Sequence, residues 1–210
     1  MKKILIVSVL AIVSLSLFAD SFIESSVGFG FFSSKETVYY GGESLTGNEK
    51  STALTTDFTA MSFAEGAKFG IDFGLSVMFP LSQSVSGVET DVEFFKCNWC
   101  PRIGLAWRYD LNSQLTMLSA VGYELMMNFT SAYQSGITVH SSLFVHGLYV
   151  QDRLSYKMDD SININAGVMM FLPFYGSQKL SATGYGSEKY SITYSGILIN
   201  PFIGIDIKRR

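Results

Sequence analysis

The chain has 210 residues and a formal net charge of −3; it is 48% hydrophobic and 16% charged, with 17 Phe, 11 Tyr and 19 Gly but four Pro. The length suits one domain with a full core, and the acidic balance argues against nucleic acid as a partner. Beyond the first 20 or so residues every apolar run is broken within a few positions by Gly, Ser or a charge, which excludes a membrane-spanning helix.

The chain opens on Met1-Lys2-Lys3, an apolar run from Ile4 to Phe18, and Leu17-Phe18-Ala19 ahead of Asp20. A basic start, an apolar centre shorter than a spanning helix and a small residue at the cut describe a secretory signal peptide. Residues 1–19 are therefore expected to be a leader cleaved after Ala19, and 20–210 the mature domain. Loss of Lys2 and Lys3 moves the formal charge from −3 to −5.

Period 2 organises the remainder. A first strand is expected to run up to about Tyr39, followed by a long connection to Thr56 whose residues 52–62 still suit a strand. From Phe63 to Phe79 one parity reads Phe63, Glu65, Ala67, Phe69, Ile71, Phe73, Leu75, Val77, Phe79 and the other Ala64, Gly66, Lys68, Gly70, Asp72, Gly74, Ser76, Met78. Alternation this long is a strand signal, and its length suits a tilted transmembrane strand. A polar break at Pro80–Gln83 precedes a weaker strand over 84–95, where Val88, Val92 and Phe94 oppose Glu89, Asp91 and Glu93. A tight connection at Lys96–Cys100 leads into Ile103, Leu105, Trp107 and Tyr109, set against Arg102, Gly104 and Arg108. After a short turn at 110–114, Leu115, Met117, Val121, Tyr123, Leu125 and Met127 alternate with Ala120, Gly122 and Glu124. Connections at 130–136, 157–161 and 181–187 complete the series, with Pro201 inside the last strand, where a bulge is expected.

These segments define an all-β fold: an eight-stranded antiparallel up-and-down transmembrane β-barrel with both ends on the periplasmic side. Its apolar face meets outer-membrane lipid. The other face lines the lumen, where Lys68, Asp72, Glu89, Asp91, Glu93, Arg102, Arg108 and Glu124 are expected to pair, since an unpaired ion in so narrow a space is costly. The first two and last two strands are long enough to project as a four-stranded sheet, its turns held by Gly41-Gly42 and Gly184-Tyr185-Gly186.

This pattern over the whole mature chain resembles the small eight-stranded outer-membrane proteins of the OmpX and OmpW kind, including those of spirochaetes. The resemblance implies adhesion, evasion of host defences or passage of small apolar molecules. The chain departs from it at its basic end, Ile207-Lys208-Arg209-Arg210, where such proteins end on an aromatic residue.

Cys97-Asn98-Trp99-Cys100 caps a hairpin rather than opening a helix, so a disulfide is expected there in an oxidising compartment, with Trp99 as an interfacial anchor. Two thiolates fall short of the four ligands zinc requires, and no metal or cofactor is expected. His140-Ser141-Ser142 has the His-x-Ser form of the lipid A 3-O-deacylases. Asp152, the acid nearest in the chain, lies twelve residues along the same strand, about 40 Å away. Glu124 would be the substitute carboxylate. The histidine is read as a lumen or rim residue, and the protein as no enzyme. The leading expectation is a monomeric surface protein that adheres through its protruding strands to a host surface or matrix protein. The alternative is binding or passage of a small hydrophobic molecule, with lipid modification third.

Overall fold

The computed structural model describes residues 20–134, 136–184 and 186–209; the leader expected over residues 1–19 lies outside them. The strands are β1 (Asp20–Tyr40), β2 (Glu43–Phe63), β3 (Phe69–Val85), β4 (Val88–Thr90), β5 (Asn98–Asp110), β6 (Leu115–Gln134), β7 (Ile137–Lys157), β8 (Ile162–Ala182) and β9 (Ser187–Arg209). Eight of them close into an antiparallel ring in chain order, β1 pairing with both β2 and β9, while the three-residue β4 pairs only with the end of β3. Closure leaves no open edge, so backbone groups in lipid are satisfied by neighbouring strands. The all-β, eight-stranded barrel expected from the alternation is the architecture found.

The ladder fixes how the strands lean. Followed from Phe22 through Met61, Asp72, Gly104, Gly122, Tyr149, Phe171 and Leu198, the pairing returns to β1 at Phe32, ten residues further along. That stagger over eight strands tilts them by about 40°. It also leaves a lumen that side chains can fill.

The outer face carries one apolar band. On β1 it runs from Ile23 to Phe31 and on β9 from Ile207 to Ile197, two stretches that lie side by side in the ladder. Their side chains are exposed because their solvent is lipid; Ile203, in mid-band, is 64% exposed. Phe69, Trp107, Tyr109 and Tyr156 ring the rim that holds both chain ends, and Phe31, Trp99, Phe129 and Phe174 the other. Amphipathic and aromatic rings at both interfaces are what a bilayer favours. Among the described residues of the band, Asp152 is the one charged side chain facing outward, and nothing in the structure explains it.

Several strand limits differ from those the alternation suggested. The stretch from Phe63 to Phe79 is not one strand: Ala64–Lys68 is a turn, closed by Ala67 N donating to Ala64 O at 2.9 Å and eased by Gly66 at a φ of 68°. The chain thus reverses fifteen residues earlier than expected. Pro80–Gln83 is no turn but the upper part of β3, and residues 84–95 supply no barrel strand. The count of eight holds because the division at Gly66 adds one strand and the loss of 84–95 removes one.

All four prolines mark breaks in the ladder. The missing N–H forfeits a bond. Opposite Pro80 the β2–β3 register shifts between Thr52 and Ala53, and beside Pro173 the β7–β8 register shifts between His146 and Gly147. At Pro101 and Pro201 the partner strand loses pairing locally, yet the register continues unchanged on both sides. The bulge expected at Pro201 is therefore absent, and the bulges sit at Pro80 and Pro173.

At the rim opposite the chain ends the wall is uneven. β1, β2, β8 and β9 rise beyond the band as expected, but β6 and β7, of 20 and 21 residues, rise with them. The low side is β3 and β5; β5 has only 13 residues. Gly41 and Gly42, with φ of 59° and 89°, supply the two left-handed positions of the β1–β2 hairpin. At the seam Tyr40 and Tyr190 stack at 4.9 Å and both hydroxyls donate to Glu188, which holds that exposed carboxyl below its usual range.

Ile203→Arg places a charge at the middle of the lipid band and is expected to lower unfolding free energy in vesicles by about 2–4 kcal/mol. Thr193→Arg, beyond the band on the same strand, should change it by less than about 0.5 kcal/mol in the same urea titration.

Candidate functional site

The lumen within the membrane is a plug built around one guanidinium. Arg102 points inward from β5, and Gly74 of β3 leaves it the space: a Cβ there would lie 2.6 Å from the guanidinium. Arg102 donates to both oxygens of Asp57, from Nη1 at 2.8 Å and Nη2 at 3.0 Å. It also donates to Ser76 at 2.8 Å, Thr59 at 2.5 Å and Gln151 at 3.1 Å. Its Nε lies 3.5 Å from Asp72, an ion-pair separation without hydrogen-bond alignment. The Tyr149 hydroxyl donates to Asp72 at 2.5 Å, and the Tyr149 ring lies against the guanidinium. Glu124, opposite Arg102 in the β5–β6 ladder, is fully buried and receives no hydrogen bond on either oxygen.

A second polar group lies nearer the chain ends. Arg153 of β7 donates to Glu24 of β1, and Asp206 of β9 accepts from Ser155 at 2.8 Å and Asn163 at 2.5 Å. Phe22, Met61, Phe63, Leu118 and Ala120 pack around it. Buried ions in so narrow a space are costly, and the pairs Arg102–Asp57 and Arg153–Glu24 offset part of that cost.

Of the eight residues expected in the lumen network, Asp72, Arg102 and Glu124 meet in the first group. Arg108 is also buried and inward, but near the chain-end rim, where its guanidinium faces the Phe63 ring and lies 3.7 Å from Asp110. Lys68, Glu89, Asp91 and Glu93 are not in the lumen. Lys68 is exposed in the 64–68 turn, and the other three sit on the segment that leaves the barrel after β3. Parity alone placed them on the polar face, and parity assigns a lumen side only on a strand of the ring: Lys68 lies in a turn, and the segment after β3 pairs only over Val88–Thr90, with the end of β3. Asp57, Glu24, Arg153 and Asp206 went unnoticed. For Arg153 the signal was present: Val145, Tyr149, Gln151, Arg153 and Ser155 share one parity against Phe144, Leu148, Val150 and Leu154.

Above the plug, toward the tall rim, the lumen opens into a cup of about 260 Å³. Its floor is apolar: Phe32, Ala53, Met78, Phe171 and Leu198, with Met126 and Leu143 on the side. Glu36 and Glu49 line its upper wall, and Asp91, Glu93 and Lys96 reach it from the segment between β4 and β5. Glu36 lies beyond the lipid band, five residues past Phe31. Burial, with the Glu49 carboxylate against it, pushes its carboxyl up to about 8. At the opposite rim a polar vestibule of about 430 Å³ is lined by Arg108, Asp110, Asn112, Lys157 and Asp159.

The disulfide expected between Cys97 and Cys100 does not form; both are free. Asn98 to Cys100 is extended strand, so three residues span roughly 10 Å, well beyond the Cα separation of about 4.4–6.8 Å that a disulfide bridges. Cys100 instead points into the lumen and contacts the Met78 sulfur at 3.6 Å. Trp99 faces outward at the interface. Among the described residues no group of three His, Cys, Asp or Glu is placed to hold a metal ion.

His140, Ser142 and Asp152 do not form a constellation. All three take outward positions on β7, with His140 Nδ1 2.7 Å from Ser131 Oγ, and Asp152 lies twelve residues along the strand. Glu124 is inside the lumen and cannot replace it.

A closed ring of eight tilted strands with a lipid band, aromatic girdles and a plugged lumen defines an outer-membrane β-barrel, and the protein resides in the bacterial outer membrane. Neither a protein-family model nor a curated protein sequence matches the chain. Solved structures do match its fold. The outer-membrane protein OprG from Pseudomonas aeruginosa aligns over 91% of this chain and 96% of its own, at 15% identity and a TM-score of 0.60. A major outer-membrane protein from Thermus thermophilus aligns over 90% and 98%, at 12% identity and 0.54. The outer-membrane protease OmpT from Escherichia coli aligns over 90% and 96%, at 9% identity and 0.51. Identities this low concern the fold, and one fold hosts many functions.

Asp57→Ala leaves Arg102 buried without its bidentate partner and is expected to cost about 3–5 kcal/mol in vesicle unfolding titrations, whereas Glu93→Gln, at an exposed pair, should cost under about 1 kcal/mol. The wild-type barrel, refolded into planar bilayers, is expected to carry no steady ion current.

Proposed function

We propose that this protein captures small apolar or amphipathic molecules in the cup at the extracellular end of the barrel. The observation that carries the reading is an outward-open cavity whose floor is apolar, in a barrel whose lumen below is sealed by ion pairs. Ligand sites are concavities of this kind, mainly apolar with a few placed polar groups. Passage straight down the axis is closed by the Arg102 and Arg153 groups. A captured molecule would leave over the low β3–β5 side of the rim, where the wall is shortest.

The cup can be filled without touching the plug. Ala53→Trp, on the cup floor, should weaken binding of 1-naphthol to the refolded barrel at least tenfold, while heat-modifiable gel migration stays as in the wild type. Unchanged binding would mean that the probe sits elsewhere.

A second reading, adhesion or another surface interaction, is favoured by the tips of the tall strands. Leu45 and Tyr133 are 77% and 76% exposed there, and Tyr39 and Tyr40 are about half exposed. Aromatic side chains held on rigid strands suit partner contact. Replacing Tyr39, Leu45 and Tyr133 together by Ser should reduce attachment of expressing cells to host cells or matrix if this reading holds, with surface display unchanged. Equal attachment counts against it.

A further inference from the structure

Beyond the lipid band the protruding wall is sorted by charge. Lys35 and Lys50 on β1 and β2, and Lys179 and Lys189 on β8 and β9, all take outward positions. Glu36 and Glu49 take inward ones and line the cup. Period 2 causes the sorting, since the neighbours Lys35-Glu36 and Glu49-Lys50 must face opposite sides of the sheet. The ladder then sets Ser34 opposite Glu49 and Glu36 opposite Gly47, so the two carboxylates become diagonal neighbours on the inner face.

Little on the lining offsets them. Ser34 donates to Glu36 at 3.1 Å and Gln83 to Glu49 at 2.9 Å, both neutral donors. Asp91 and Glu93 bring two further carboxylates to the lining, and the cation there, Lys96, is held by Glu93 at 2.7 Å. The lysines of the wall cannot help from its outer face. Two carboxylates close together in a half-buried place repel unless a proton or a cation stands between them. Glu36, raised as described, shows that cost.

We propose that the cup selects a small organic cation with an apolar body, an aryl- or alkylammonium, its charged head between Glu36 and Glu49 and its body on Met78, Phe171 and Leu198. The assignment rests on the capture reading above and adds the charge of the ligand to it. A cationic head replaces repulsion between the carboxylates by two attractions, and the apolar floor excludes hydrated metal ions that have no body to bury. The cavity, of about 260 Å³, is large enough for one such molecule, and its acidic mouth disfavours anions.

The test compares three probes of one shape on the full mature chain refolded in nanodiscs of neutral lipid. Benzylammonium, benzyl alcohol and benzenesulfonate are titrated calorimetrically. The cation is expected to bind at least about tenfold tighter than the alcohol, as a charge-assisted contact implies, with the sulfonate weakest. In E36Q/E49Q the cation should lose about that factor while the alcohol is unchanged. In K35Q/K50Q, where the outward lysines are neutralised, all three should bind as in the wild type. Equal binding of cation and alcohol, or a cation preference that survives in E36Q/E49Q, overturns the cation assignment and leaves the capture reading intact. A K35Q/K50Q change as large as that of E36Q/E49Q would place the selectivity in the general surface field and overturn it too. If none of the probes binds, the capture reading fails as well.

Discussion

The bidentate pair between Arg102 and Asp57 closes a lumen that the strand ladder has already made narrow. Eight strands with a ten-residue stagger leave room for side chains but not for a water column, so each inward polar group must find a partner within the plug. Arg102 meets most of that demand alone, with five donor contacts to Asp57, Ser76, Thr59 and Gln151. These partners come from β2, β3 and β7, and the guanidinium comes from β5. Four strands are thereby tied across the lumen by a single side chain, in addition to the hydrogen bonds that run around the ring.

This division gives the protein two functional levels. Within the membrane the lumen is filled by side chains, with the carboxylates of Glu24, Asp57, Asp72, Glu124 and Asp206 gathered around Arg102, Arg108 and Arg153, and these ions serve the barrel itself. Beyond the membrane the wall continues without the plug, because β1, β2 and β6 to β9 outrun the band, β3 outruns it as far as Val85 opposite Glu49, and β5 ends at its edge. The cup exists where the plug ends and the wall persists. Its apolar floor is the top of the packed lumen, Met78, Phe171 and Leu198, and its carboxylates belong to the protruding strands. Contacts gathered on buried arginines fill the lumen below, and sorting of charge between the two faces of the wall holds above.

Part of this was legible in the residues. Alternation reports which face a side chain takes, and it placed Asp72, Arg102, Arg108 and Glu124 inside. It does not report where a strand stops. The parity of Phe63 to Phe79 was carried through Ala64–Lys68 because small and charged residues suit both a lumen face and a turn; Glu65 on the apolar parity and Gly66, at a positive φ, were the marks of reversal. Pro80 looked like a turn for the same local reason, yet it sits at a bulge, since a proline in a barrel strand can give up one ladder bond without ending the strand. Glu89, Asp91 and Glu93 were misplaced by extending parity into a segment that pairs only over Val88–Thr90.

The sequence by itself determined the barrel and its membrane face, because a period-2 pattern of apolar and polar side chains has one low-energy arrangement in a bilayer: a closed sheet with the apolar face to lipid. Only the tertiary structure decided which ions meet. Asp57 and Arg102 are 45 residues apart, and Glu24 and Arg153 are 129 apart. They come into contact through the stagger of the ring, a property of all eight ladders together. The tertiary structure likewise decided that Cys97 and Cys100 stay apart, because an extended strand separates residues that a tight turn would have joined. The cup has the same origin, formed where strands of unequal length leave the membrane together.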